Sequence, residues 1–136
     1  GGSLGIMDAV SKAAYEEGRS AIGVTVKIFD SKTSEYLTQE IKCETLFERL
    51  DNLITIGDAF VVLPGGTGTL LELSLVWELL NKNVMNIKPF VCLGEMWKGI
   101  VDLIEERVIS EGRVKGLIKN FTDPNEIVQF IKETVV

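Results

Sequence analysis

The stretch VVLPGGTGTLLELSLVWELL, residues 61–80, puts three glycines into four positions, Gly65, Gly66 and Gly68, between an apolar run and a leucine-rich run. Glycines at such a junction serve one of two purposes. They make a tight turn, or they let an anion approach the backbone closely. The run before them is short, β-branched and unalternating, as a strand buried on both faces of a parallel sheet is. The run after them has helical spacing. The loop therefore joins the carboxyl end of a strand to the start of a helix, where the first N–H groups have no intrahelical partner and the dipole is positive.

Outward from this loop the same alternation recurs. AIGVTV (21–26), AFVVL (59–63) and PFVCLG (89–94) read as buried strands. Helical spacing covers 4–18, 45–57, 68–83, 95–112 and 123–136. Gly18 suits the stop of the first helix. Thr69 is the expected N-cap of the third. Asp123 followed by Pro124 is a strong start for the last. A short strand is expected near 116–121. The polar segment 27–42 reads as one long loop leaving the first strand, of the kind that often carries function. The order implies α/β architecture, a Rossmann-like three-layer αβα sandwich with a mainly parallel sheet. Residues 1–136 are read as one nucleotide-binding domain. Sheets of this class bind ligands outside the carboxyl ends of their strands.

Composition narrows the chemistry. Net charge is −6, which argues against a nucleic-acid polymer as partner. A local spot for one phosphate remains open. There is no histidine, so Ser–His and Cys–His nucleophiles are excluded, as is any His-containing zinc site. Cys43 and Cys92 lack metal-ligand spacing and fit a reducing cytosol. No apolar run nears the ~20 residues of a membrane span. The expectation is a cytoplasmic protein with no metal, no cofactor and no membrane association. The chain has no initiator Met and opens on GGSLGIM, so an N-terminal part is expected to be missing.

The PGGTGT loop is neither a Walker A loop nor a dinucleotide fingerprint, because both spacings are absent. A second glycine cluster, GGSLGIM (1–7), also leads into a helix. Glu72 lies one turn into the third helix. It is either a dipole-stabilising carboxylate or one aimed at a ribose hydroxyl or a water. Arg49 lies in the mostly apolar stretch TLFERLDNLI. It is either a solvated residue paired with nearby acids or a guanidinium reaching a phosphate or sugar.

PGGTGTLLE (64–72) resembles the PGGxGTxxE motif of the LOG family, the cytokinin-activating nucleoside monophosphate phosphoribohydrolases often mislabelled lysine decarboxylases. GGSLGIM resembles the family's first glycine loop, with Asp8 where a glycine is usual. Arg49 lies nine residues before Asp58, where the family's motif arginine falls. The resemblance covers nearly the whole chain and implies a strand, a helix and a strand ahead of Gly1. It implies cleavage of the N-glycosidic bond of a nucleoside 5′-monophosphate to free base and ribose 5-phosphate. Gly65, Gly66, Thr67, Gly68 and Thr69 would hold the phosphate, with Gly1, Gly2, Ser3, Gly5 and Met7 as further nucleotide-binding positions. Glu72 and Arg49 would be catalytic. A homodimer or higher homo-oligomer is also implied, and the nearly all-apolar third helix suits burial beneath a partner subunit.

Two departures bear on turnover. Leu50 stands where the family has lysine after the arginine, and Asp8 brings negative charge to the first loop. The alternative is a non-catalytic binding or carrier protein for a nucleotide or for a phosphate-bearing cofactor such as the molybdenum cofactor. A pyridoxal decarboxylase is disfavoured, because no site for a Schiff-base lysine is marked.

Overall fold

In the computed structural model, residues 5–29 and 32–135 are described. They fall into two compact units, Gly1–Ile56 and Gly57–Val136.

The first unit holds α1 (Ile6–Glu16), β1 (Ile22–Val26), β2 (Gln39–Cys43) and α2 (Leu46–Ile56). β1 and β2 pair in parallel, with Val24 opposite Ile41. Gly18 follows α1 at φ 65°, a left-handed position that glycine takes without strain. α2 starts on a local cap. Thr45 Oγ1 accepts the Glu48 N–H at 3.1 Å, and Glu48 Oε2 accepts the Glu44 N–H at 2.7 Å. The T-x-x-E spacing of a capping box was present in the sequence. The core of this unit is Ala21, Val24, Val26, Cys43 and Leu50.

Residues 27–42 are not one long loop. Their second half is strand β2, joined to β1 through a connection with no helix among its described residues. The strand escaped notice because its burial runs exposed, exposed, half-buried, exposed, buried. Only Ile41 and Cys43 face apolar surroundings, so the segment lacks the continuous apolar run of a strand covered on both faces. The close approach of β1 to this connection is visible at Gly23. A Cβ there would fall on Leu37 Cδ1.

The second unit is two successive β–α–β passages closed by a helix. β3 (Phe60–Val62), α3 (Thr67–Asn81), β4 (Phe90–Leu93), α4 (Lys98–Ser110), β5 (Lys119–Phe121) and α5 (Pro124–Thr134) follow one another. The sheet order is β3-β4-β5, all parallel. β4 is central, and Phe90, Val91 and Cys92 are its fully enclosed residues. This explains its uninterrupted apolar run. Leu73, Val76, Trp77 and Leu80 of α3 are buried, as are Val101 and Val108 of α4 and Ile127 of α5. Each such aliphatic or aromatic side chain contributes about 1.5–3 kcal/mol when fully enclosed. α5 starts as expected: Asp123 accepts the Asn125 N–H at 2.9 Å and Pro124 opens the helix.

All strand pairs among the described residues are parallel, and helices flank them. The α/β, Rossmann-like class read from the sequence is what the chain adopts. No helix among the described residues is long and apolar enough to cross a membrane.

Candidate functional site

The expected site residues lie in both units, and each half is described within its own.

In the second unit, β3 delivers the chain into Leu63, Pro64 and the glycines. The Leu63 carbonyl is held by the indole N–H of Trp97 at 3.0 Å, and Trp97 is itself buried. This anchor was not foreseen. Its only signal was a tryptophan just after the third apolar strand. The helix then begins with Gly66 as N-cap, at φ −101°, and without any side-chain capping bond. Thr69 was expected at that cap, but it sits three residues inside, because the helix starts three residues earlier than a Thr69 cap implies. The first intrahelical bond is Leu70 N–H to Gly66 C=O at 3.0 Å. Among the described residues, the N–H groups of Thr67, Gly68 and Thr69 donate to no backbone or side-chain acceptor. Gly66, Thr67 and Gly68 are exposed.

This helix end differs in its electrostatics from most of its neighbours. α1, α2 and α5 each carry an acid in the first turn, whereas α3 carries none. A free set of amides, an uncompensated dipole and no competing carboxylate are the conditions for holding an anion. Glu72 comes just beyond the first turn, half-buried. Helix geometry puts it on the face shared with Gly68 and Thr69, and side chains lean back toward the N-terminus. The carboxylate is thus within a turn of the amides without standing in their place.

In the first unit, α1 begins at Gly5, with φ 82°. Met7 is exposed, and the buried Ser11 hydroxyl donates to the Met7 carbonyl at 3.0 Å. Asp8 occupies the first turn, so this helix end is already compensated by a carboxylate. Gly1, Gly2 and Ser3 lie outside the described residues. Arg49, half-buried on α2, donates through Nε to the Val24 carbonyl of β1 at 3.0 Å. That bond fixes one edge of the guanidinium plane. Leu50, where the family has lysine, is 5% exposed and part of the core. The second cation has therefore been exchanged for a packing residue.

Gly65 to Thr69 and Glu72 are thus brought together on one strand–turn–helix passage. Gly5, Met7, Asp8 and Arg49 belong to the other unit. No group of three or more metal-ligating side chains gathers among the described residues.

Residues 7–131 match the family model described as Possible lysine decarboxylase. The chain belongs to this family, the LOG family. It is 28% identical, over 99% of its length and 66% of the relative's, to a cytokinin riboside 5′-monophosphate phosphoribohydrolase of Arabidopsis thaliana. It is 40% identical to one from Oryza sativa subsp. japonica, over 54% of this chain and 31% of that protein. A probable member of the same activity from that rice is 42% identical, over 54% of this chain and 36% of its own. The chain thus spans just under two thirds of the first relative's length.

Proposed function

We propose that this chain is a LOG-type nucleoside 5′-monophosphate phosphoribohydrolase acting in the cytoplasm, as a homodimer or higher homo-oligomer. One observation carries the reading: the uncapped, acid-free N-terminus of α3, whose Thr67, Gly68 and Thr69 amides are free beneath a glycine turn. A 5′-phosphate is the ligand group such a site suits. The activity of the relatives supplies the substrate class, a riboside 5′-monophosphate.

The chemistry follows from the charges. Breaking the C1′–N bond builds positive charge on the ribose, and the Glu72 carboxylate stabilises it. Water adds its oxygen to C1′ as the C1′–N bond breaks, one of its protons passes to Glu72 as general base, and the departing base takes up a proton from solvent, to which Glu72 then releases its own. The products are free base and ribose 5-phosphate. Arg49, whose Nε donates to the Val24 carbonyl, is the cation that the resemblance assigns to catalysis. Leu70 and Leu71 leave α3 with exposed apolar surface beside its buried face, which suits a partner subunit.

The test is release of base from AMP and from N6-modified AMP. Glu72→Ala and Glu72→Gln are expected to lower kcat by about 10²–10³-fold, the usual loss for a preorganised charge, with phosphate binding retained. Absence of release by the wild type sinks the enzyme reading. The second reading, a non-catalytic binder of a nucleotide or molybdenum-cofactor-like ligand, rests on Leu50, which fills the family's lysine position with core. It predicts thermal stabilisation by a phosphate ligand, ~2.7 kcal/mol at 100 times its Kd, without any turnover.

A further inference from the structure

Thr69 is grouped by motif with the residues that touch phosphate. Its surroundings assign it other work. A Cβ built on Gly65 would fall on Thr69 Oγ1 and lie 2.9 Å from Thr69 Cβ and 3.4 Å from its Cγ2. The Thr69 side chain therefore already occupies the space where a side chain at position 65 would go. It packs upward against the bare Cα of Gly65, two residues before the helix begins. At Gly66 and Gly68 a Cβ would meet nothing within 4 Å. The turn's glycines are thus not equivalent. Gly66 and Gly68 leave space open, while Gly65 is bare because Thr69 is there.

Helix-end logic gives this contact a purpose. In a capping box the N-cap side chain and the third helical residue reach toward each other and fix the entry of the chain. Here the N-cap is Gly66, which has no side chain to contribute. The third helical residue is Thr69, and it reaches back past the N-cap to Gly65. As a β-branched residue it has a restricted χ1 in a helix, so it makes a stiff prop. Without it, two consecutive glycines would carry the full conformational freedom of the turn.

We propose that Thr69 is a positioning residue: its side chain braces Gly65 and so fixes the 65–68 turn in the shape that presents the free amides, rather than serving the ligand through its hydroxyl. This rests on the phosphate-binding reading of the turn and changes what Thr69 contributes to it. A brace needs shape. A ligand contact needs the hydroxyl.

Two measurements separate these. The first is the Kd for inorganic phosphate, read by NMR shifts of the 66–69 amides, in Thr69→Val and Thr69→Ala. Valine keeps the branched shape and loses the hydroxyl, so binding is expected within about threefold of wild type. Alanine loses the brace, and binding is expected to weaken about tenfold. If Thr69→Val is as damaging as Thr69→Ala, or Thr69→Ala is harmless, the proposal is overturned. The second needs no ligand. Gly65→Ala is expected to lower Tm by about 5 °C or more on the wild-type background and by less than half as much on Thr69→Gly, where the obstructing atoms are gone. Equal losses on both backgrounds overturn the brace. Failure of the wild type to bind phosphate would fall on the proposed function alone, and the Tm comparison would still decide the role of Thr69.

Discussion

Cys92 sits on the central strand β4 with no exposed surface, and burial pushes its thiol up to about 11 from 9.0. Desolvation disfavours the thiolate, so the folded chain holds this proton more tightly than the unfolded one does. The direction of the pH effect follows. Below about pH 9 both states keep the proton and stability is intact. As pH rises from there through about 11, the unfolded thiol ionises first and stability is lost. The midpoint of urea unfolding is therefore expected to fall between pH 8 and pH 10.5. A Cys92→Ala variant, less stable at pH 8, should show a shallower fall. An identical slope in both proteins would remove Cys92 as the cause. The same burial makes Cys92 inert to thiol reagents at pH 8 until the chain unfolds.

At the scale of elements, the clearest sequence signals were those in which one residue does one local job. Asp123 with Pro124 is the best of them, and its bond to the Asn125 amide is present at 2.9 Å. Asp123→Ala is expected to cost about 1 kcal/mol, with Asp123→Asn nearly neutral, measured by urea unfolding. Loss of stability in both variants alike would point to charge rather than capping. Strands β1, β3 and β4 were legible from their short, continuous apolar runs, though only β4 has three enclosed residues in a row, while Ile22 of β1 and Val61 of β3 are exposed. β2 was not, because Gln39, Glu40 and Lys42 are exposed and only Cys43 is fully buried. The start of α3 was misplaced for a related reason. Periodicity reports the apolar face, and the first turn, Thr67 to Thr69, has none. The loop was legible as a motif, since glycines at a strand–helix junction have few purposes. Its internal support was not: that Trp97 holds Leu63 is a tertiary fact with no spacing rule behind it, and that Thr69 fills the space above Gly65 is a four-residue contact that depends on where the helix starts.

For the whole molecule, the governing fact is that a chain of net charge −6 is proposed to hold a phosphate dianion. The global field opposes the ligand, and the attraction is local: backbone amides and a helix dipole, whose reach is about one turn. Salt acts differently on the two. At 0.15 M the Debye length is about 8 Å, so long-range repulsion is largely screened, while hydrogen bonds to amides at contact distance are screened much less. A site built from clustered Lys and Arg would behave in the opposite way, losing affinity steeply as salt rises. The affinity for AMP is therefore expected to stay level or tighten by up to about threefold between 20 and 150 mM NaCl, measured by calorimetry. The dependence in Arg49→Lys should match the wild type, since the charge is retained. A loss of tenfold or more across that range would show that side-chain cations carry the binding. The α3 amides would then no longer be the main contributor, and the weight of the site would move to Arg49.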